Sequence, residues 1–209
     1  MSSDPSSSRE DFCRCCHLLY ERRLVCGVGG NISARTGDNV FITPSGYSLR
    51  DIKPDMVTKL SKDGTILEGG TPTKDNEMHL GILRALPEIN VVLHTHGSYI
   101  TAATGLLKPG SDTLPPLTPG FVYYAHPLPM LPFFVPGTVV LANSVIKELS
   151  TNGRRAVLLQ NHGLVSIGRD FQEATNIAEE IDEAARIFIL TGGKASAIPP
   201  EDVDDLYRI

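Results

Sequence analysis

Two histidines, His94 and His96, follow an apolar segment at residues 91–93 and are separated by a single residue. Because alternate residues of a β-strand project from the same face, this spacing brings both imidazoles toward one point. Imidazole nitrogens at i and i+2 can chelate a borderline divalent cation, and His162, in a polar turn at residues 160–163, is the natural third ligand. A strand end that is merely capped by polar side chains would show the same pair, so the spacing alone leaves both interpretations open.

Two carboxylates, Asp75 and Glu77, open a predicted helix upstream of the histidine pair. A carboxylate in a first helical turn most simply stabilises the helix dipole. A metal site that cleaves carbon bonds also needs a base beside the metal, and a carboxylate next to the histidines could serve. The other histidines, His17, His79 and His126, lack such an arrangement, and we interpret them as surface or core residues.

Three polar segments have residue types that suit an anion. The glycine turn at residues 29–33 includes Asn31, so it offers backbone N–H groups together with an amide. A second polar turn, at residues 43–46, follows a predicted strand, and Thr73 and Lys74 lie just before a helix whose first amides favour an anion. Each segment alone is most often a plain turn, but together they could enclose one anionic group.

The elements that must position these residues follow from the apolar spacing and from the turn residues. Helical spacing and caps predict helices over residues 10–23, 75–86, 98–105, 137–149 and 170–191. Short β-rich segments predict strands over residues 40–43, 56–60, 65–67, 91–95, 156–159 and 164–167. Residues 108–136 hold eight of the 15 prolines and cannot be regular for long, apart from an edge strand at 131–135. Helices interleaved with strands predict an α/β fold in three layers.

The composition restricts the partners of the chain. Its 209 residues are 41% hydrophobic and 21% charged, which is typical of a globular protein with one sizeable core. A net charge of -5 argues against a nucleic-acid partner held by its phosphates, and no apolar segment approaches the ~20 residues of a membrane span. We therefore expect a small-molecule ligand, and a single domain at residues 10–209 that follows a disordered polar tail at residues 1–9.

All four cysteines, Cys13, Cys15, Cys16 and Cys26, lie near the amino terminus. Three of them share one predicted helix, where neighbouring positions point in different directions, which argues against a zinc knuckle or a disulfide framework. We expect reduced thiols that pack as small apolar side chains in a cytoplasmic protein.

In order and spacing, five motifs between residues 10 and 193 resemble the class II aldolase/adducin family. They are the Gly-Asn-x-Ser turn, the Thr-Pro-Ser-Gly turn, the Pro-Thr-Lys-Asp segment, the His-x-His pair and the Asn-His-Gly turn. The resemblance implies a three-layer α/β/α sandwich around a central mixed, largely antiparallel sheet, assembled as a homotetramer. It also implies zinc, or another divalent ion such as Mn2+ or Co2+, bound by His94, His96 and His162 with Asp75.

The resemblance also assigns substrate-binding and catalytic positions. It places a substrate phosphate at Gly30, Asn31, Ser45, Gly46, Thr73 and Lys74. The catalytic acid or base falls on Asp75, where family members generally have the longer glutamate. Glu77 is the fallback, but it lies about 200° around the helix from Asp75, so Asp75 is the first choice.

The implied activity is that of a carbon–carbon lyase acting on a small phosphorylated sugar or sugar acid through a metal-bound enediolate. One branch contains fuculose-phosphate aldolases, which split a ketose phosphate with help from a tyrosine located after residues 114–115. This chain has Pro119 there, although Tyr123 and Tyr124 are close. The proline-rich segment at residues 114–119 looks more like the other branch, 3-oxo-tetronate 4-phosphate decarboxylase, and we expect decarboxylation.

Two other functions stay open. An adducin-like interaction module would keep the fold without catalysis, although the three intact histidines count against it. An epimerase of the ribulose-phosphate type is also compatible with the sequence.

Overall fold

A computed structural model describes residues 8–208 of the protein, without the side chain of Asn152. The described chain contains one sheet, whose strands are β1 (Asn31–Thr36), β2 (Asn39–Ile42), β3 (Thr58–Ser61), β4 (Ile66–Glu68), β5 (Val91–Thr95), β6 (Met130–Leu131), β7 (Ala156–Leu159) and β8 (Gly163–Gly168). Their order is β4-β3-β2-β1-β5-β8-β7-β6. Neighbouring strands pair antiparallel except β6 and β7, which are parallel, so the predicted mixed and largely antiparallel sheet is confirmed.

Helices cover both faces of this sheet. They are α1 (Arg9–Glu21), α2 (Asn76–Ala85), α3 (Ser98–Leu106), α4 (Pro119–Ala125), α5 (Val139–Asn152), α6 (Phe171–Leu190) and α7 (Pro200–Leu206). One buried cluster joins the sheet to α1, α3, α4 and α6, and a second cluster joins its other face to α2 and α5. The three-layer α/β/α architecture is therefore confirmed.

The alternation of side chains across the sheet decides which residues face α2. Ile32 on β1 and Leu93 on β5 belong to the cluster under α6, whereas Val92 belongs to the cluster under α2. Because successive strand residues point to opposite faces, Asn31 on β1 and His94 on β5 point toward the α2 layer. The candidate site therefore lies on the α2 side, where β1 begins and β5 ends.

The amino-terminal helix begins one residue earlier than predicted. Ser8 Oγ accepts a hydrogen bond from the Asp11 amide at 3.0 Å and caps α1, and the guanidinium of Arg9 donates to the Val57 carbonyl at 2.6 Å. The first seven residues of the predicted tail lie outside the described residues. The tail and the single domain stay predictions.

Several elements differ from those predicted. Residues 119–125 form α4 because Thr118 caps the helix and Pro119 occupies its first turn, where a missing N–H costs nothing. The predicted edge strand at 131–135 is reduced to β6, because Pro132 cannot continue the ladder. The strand predicted at 56–60 starts only at Thr58, after a 3-10 helix at Pro54–Met56. The strand β1 and the helix α7 were not predicted.

Cys13, Cys15 and Cys16 are buried in the core and Cys26 is exposed, and all four are free thiols. Burial raises the pKa of Cys15 to about 12, so this thiol stays protonated. The prediction that the cysteines of α1 pack as small apolar side chains is confirmed. In the described part of the chain, no helix combines the length and the apolar character needed to cross a bilayer.

Candidate metal centre

Three histidines from two neighbouring strands converge at one end of the sheet. His94 is part of β5, His96 follows two residues later, and His162 lies in the turn that joins β7 to β8. The Nε2 atom of His94 lies 2.9 Å from Nε2 of His96 and 3.3 Å from Nε2 of His162. One potential ligand atom from each ring lies within 4.8 Å of the others.

Neighbouring groups orient these rings. The Nδ1–H of His94 donates to the Leu164 carbonyl at 3.0 Å, which leaves the Nε2 lone pair directed at the other two imidazoles. Gly163 permits the close approach of β8 to β5, because a side chain there would collide with the Thr95 carbonyl and the His96 ring. The structure thus fixes both the position and the tautomer of His94.

The donor set fits a divalent cation. Four-coordinate zinc holds nitrogen ligands at about 2.0–2.1 Å, which separates those nitrogens by about 3.3 Å. The distance between His94 Nε2 and His162 Nε2 matches this value, and that between His94 Nε2 and His96 Nε2 is slightly shorter. A cation bound between facing imidazole lone pairs would remove their repulsion, so the arrangement suits a metal with an open fourth position.

Burial keeps these imidazoles neutral. It lowers the pKa of His94 to about 3 and that of His96 to about 4, and mutual repulsion between the protonated rings adds to both shifts. The pKa of His162 is also lowered, again chiefly by burial. Neutral imidazole is the form that binds a metal, so all three rings are ready for ligation at neutral pH.

Asp75 lies beside the three histidines, at the position that precedes α2. Its side chain makes no capping bond to the helix, and its Oδ2 instead accepts a hydrogen bond from Asn31 Nδ2 at 2.8 Å. Burial alone would raise the pKa of Asp75, but the adjacent His94 and the Asn31 hydrogen bond hold it below its usual value. Asp75 therefore presents an ionised carboxylate to the site.

The two carboxylates that open α2 have different surroundings. Asp75 is partly buried, and its charge acts on His94, His96 and His162. Glu77 is exposed and lines a cleft with Lys74, Asp75 and Gly137. Among the described residues, the close group of ligand atoms contains the three histidines and not Asp75, whose predicted role as a metal ligand stays a prediction.

The predicted anion-binding segments come together in the structure. The Ser45 amide donates to the Thr71 carbonyl at 2.9 Å, and the Thr73 amide donates to the Thr43 carbonyl at 3.0 Å. These bonds set the turn at residues 43–46 beside the segment that leads into α2. Asn31 completes the group, because the first residue of β1 lies at the same end of the sheet.

The remaining predicted phosphate-binding residues have diverse surroundings. Gly30 has a φ of 79° and packs against Val25 and the His94 carbonyl, so no side chain fits there. Gly46 and Lys74 are exposed, whereas Thr73 is buried, with its hydroxyl 3.4 Å from the Asp75 amide. Thr73 and Gly30 thus form the inner wall of the site, and the exposed Gly46 and Lys74 lie at its rim.

One buried neighbour of the site was not predicted to lie there. His79 is fully buried on α2, and its Nε2 lies 2.5 Å from Asn31 Oδ1. Its separation from Asp75, four residues along a helix, places both side chains on one face and was the available signal. The sequence could not show that this face covers the Asn31 end of β1.

Comparisons with known proteins agree with this geometry. The model of the Class II Aldolase and Adducin N-terminal domain matches residues 10–189. A 3-oxo-tetronate 4-phosphate decarboxylase of Haemophilus influenzae is 34% identical over 192 residues, 90% of each chain. An L-fuculose phosphate aldolase of Methanococcus maripaludis is 34% identical over 177 residues, 85% of this chain and 93% of the relative.

A solved structure is similar over almost the same length. The crystal structure of YgbL from Escherichia coli has a TM-score of 0.89 and 30% identity, and the match covers 95% of this chain and 97% of that one. The names of the two curated relatives, a decarboxylase and an aldolase, confirm the prediction of a metal-dependent lyase. The chain belongs to the class II aldolase and adducin family.

Proposed function

We propose that this lyase decarboxylates a small phosphorylated sugar acid of the 3-oxo-tetronate 4-phosphate type, and that it uses zinc or another divalent ion such as Mn2+ or Co2+. The observation that carries the proposal is the convergence of His94, His96 and His162 beside the ionised carboxylate of Asp75. The polar segments around Asn31 and Thr73 lie at the same end of the sheet. One small molecule can therefore contact all of these groups.

Each part of the site has a role in this reaction. A divalent ion bound by the three imidazoles would act as a Lewis acid on neighbouring substrate oxygens. The polar turns and the start of α2 bind the phosphate through hydrogen bonds, without a need for net positive charge. As the bond to the leaving carboxylate breaks, its electron pair moves toward the 3-oxo oxygen, and a proton must then reach the carbon. The Asp75 carboxylate is positioned to take that proton up from a water molecule and pass it to the carbon.

The residue at the position of the aldolase tyrosine favours decarboxylation over aldol cleavage. Pro119 occupies the first turn of α4, where the resemblance expects the tyrosine of an aldolase. Tyr123 and Tyr124 line a different cleft together with Arg169. Arg169 follows the far end of β8, on the order of 20 Å from the His162 end at about 3.3 Å per residue. Within one chain, neither tyrosine can therefore protonate an aldehyde oxygen at the histidines.

L-fuculose-phosphate-type aldol cleavage is the second candidate, because an aldolase and a decarboxylase both match at 34% identity. The two activities release different products. The purified protein should be assayed with 3-oxo-tetronate 4-phosphates and ketose 1-phosphates, with detection of carbon dioxide and of dihydroxyacetone phosphate. We expect carbon dioxide, and no release from protein treated with a chelator. Formation of dihydroxyacetone phosphate alone would identify an aldolase, and the absence of both products from metal-loaded protein would contradict both candidates.

We also propose that the protein is a cytoplasmic homo-oligomer, a tetramer, in which a neighbouring subunit completes the active site. Apolar side chains are exposed on the segment beside the Lys74 cleft, with Phe133 52%, Val135 62% and Val139 65% accessible. Such a patch is typical of a surface that another protein covers. Sedimentation of the active enzyme at assay concentration tests the assembly, and a fully active monomer would refute it.

A further inference from the structure

A chain of buried polar side chains runs between β1 and α2 and ends at Asp75. The Ser33 hydroxyl lies 2.8 Å from His79 Nδ1, and His79 Nε2 lies 2.5 Å from Asn31 Oδ1. Asn31 Nδ2 then donates to Asp75 Oδ2 at 2.8 Å. Ser33 and His79 are fully buried and Asn31 is 7% exposed, so these partners replace solvent for one another.

The residue spacings of the strand β1 and of the helix α2 bring these four side chains together. Asn31 and Ser33 are alternate residues of β1 and share the face toward α2. Asp75 and His79 are four residues apart and share the face of α2 toward the sheet. The four residues therefore meet wherever α2 lies across the end of β1.

The Asp75 carboxylate determines which group donates and which accepts in each of these three hydrogen bonds. An ionised Asp75 only accepts, so the Asn31 atom that faces it must be the amide nitrogen. Asn31 Oδ1 then faces His79 Nε2, which must carry the proton. His79 Nδ1 is consequently an acceptor, and it receives the hydroxyl proton of Ser33. This assignment follows from the network of partners, and it fixes a single histidine tautomer.

We infer that His79 is a positioning residue, which holds the Asn31 amide in the one orientation that donates to Asp75 and so aims the Asp75 carboxylate at the substrate. For its effect on turnover, this inference rests on the proposed function. His79 does not contact the three histidines through its ring nitrogens, since both nitrogens are engaged by Ser33 and Asn31 of the glycine turn. An apolar residue would fill the same space but would leave Asn31 Oδ1 without a donor.

The shorter side chain at position 75 explains why such a device is useful. Aspartate cannot reach as far as the glutamate that the family resemblance expects, and its carboxylate receives no support from the helix terminus. The Asn31 amide provides the direct hydrogen bond to this carboxylate. Outer partners that orient a reacting group typically contribute about 10- to 100-fold to activity.

The test compares His79→Gln with His79→Leu. Glutamine can still donate an amide hydrogen to Asn31 Oδ1, whereas leucine of similar volume cannot. With 3-oxo-tetronate 4-phosphate as the probe, we expect His79→Leu to lower kcat by about 10- to 100-fold at nearly constant KM and metal content, and His79→Gln to recover most of that loss. A leucine variant with parental kcat would overturn the inference, and so would equal losses in both variants, which would indicate packing alone.

A second measurement does not depend on turnover. Long-range 1H–15N spectra of the metal-loaded parent report the tautomer of His79, which we expect to carry its proton on Nε2. A proton on Nδ1 would exchange the donor and acceptor roles of the two His79 nitrogens and refute the inference, even if His79→Leu failed to fold. If the parent did not decarboxylate 3-oxo-tetronate 4-phosphate, the proposed function would fail. The tautomer of His79 would still decide which groups donate in these hydrogen bonds. Ser33→Ala, which removes the donor to Nδ1, should weaken the Nε2–H preference.

Discussion

Asn31 and His94 are direct cross-strand partners in the antiparallel pairing of β1 with β5. Opposed residues of such a pair have Cβ atoms about 4.5–5.5 Å apart on the same face of the sheet. The asparagine of the polar glycine turn thus adjoins the first histidine of the candidate metal centre. The same Asn31 amide bonds to Asp75, so one side chain links the predicted phosphate site, the metal centre and the predicted base.

This link changes the effect expected from replacing Asn31. If Asn31 served only the phosphate, Asn31→Ala would mainly raise KM. Because its amide also holds Asp75, we expect kcat to fall as well. Loss of a hydrogen bond to a charged group costs about 1.5–3 kcal/mol, which corresponds to roughly 10- to 100-fold in kcat/KM. Steady-state kinetics check this expectation.

Lys74→Met is the matched control for Asn31→Ala, because Lys74 is exposed at the rim of the site. It should raise KM and leave kcat nearly unchanged. An Asn31→Ala enzyme with parental kcat would show that the amide does not position Asp75.

The sequence predicted that the three histidines come together because the signal for each is local. The spacing of His94 and His96, and the turn that holds His162, each depend on a few neighbouring residues. His79 is a core residue, as one of the two predicted alternatives has it, but its hydrogen bonds were not predicted. Its partners, Asn31 and Ser33, are more than forty residues away and are brought near only by the packing of α2 on β1. Long-range packing of this kind cannot be read from periodicity.

The fold shows the same division between local and long-range signals. The strand Val91–Thr95 was predicted with its observed bounds, because its apolar residues and flanking turns mark it clearly. The helix at Pro119–Ala125 was missed because a proline-rich segment suggests irregular structure, although proline is well tolerated in a first turn. Whether a proline starts a helix depends on the cap before it, here Thr118, whose hydroxyl accepts from the Phe121 amide.

Metal binding should depend on each histidine of the centre. We expect about one divalent ion per chain in the purified protein, and loss of most of it in His96→Ala, because two imidazoles hold a metal more weakly than three. His17→Ala is the control, since His17 lies on α1, away from the centre, and its Nε2 bonds to the Ile52 carbonyl. Elemental analysis measures both variants. Parental metal content in His96→Ala would remove His96 from the ligand set.

The metal-free protein should lose stability in acid. Burial lowers the pKa of His79 to about 4, that of His94 to about 3 and that of His96 to about 4, whereas an unfolded histidine titrates near 6.5. The unfolded chain therefore binds more protons below about pH 6.5, and the free energy of unfolding falls as the pH falls from there toward 4. Each fully shifted histidine contributes up to about 1.4 kcal/mol per pH unit.

Urea unfolding of chelator-treated protein at pH 7.5, 6 and 5 tests this dependence. The midpoint should decrease steadily across the series, and metal should protect the parent, because the bound ion keeps the imidazoles unprotonated. His94→Asn removes one of the buried imidazoles and should make the decrease shallower. A midpoint that is constant from pH 7.5 to 5 would show that these histidines are not buried as neutral groups.

The last prediction concerns the proton-transferring carboxylate. Asp75→Asn should retain the fold and the metal, because the new amide can still accept the Asn31 hydrogen bond through its oxygen. It cannot take up a proton or return it to carbon, so kcat should fall on the order of 10²- to 10⁴-fold, the range typical of losing a general acid or base. Glu77→Gln is the matched control and should cost little, because Glu77 is exposed and lies about 200° around the helix from Asp75. An inactive Glu77→Gln enzyme together with a nearly normal Asp75→Asn enzyme would mean that the helix rotates on binding substrate and that Glu77 reaches the reacting carbon.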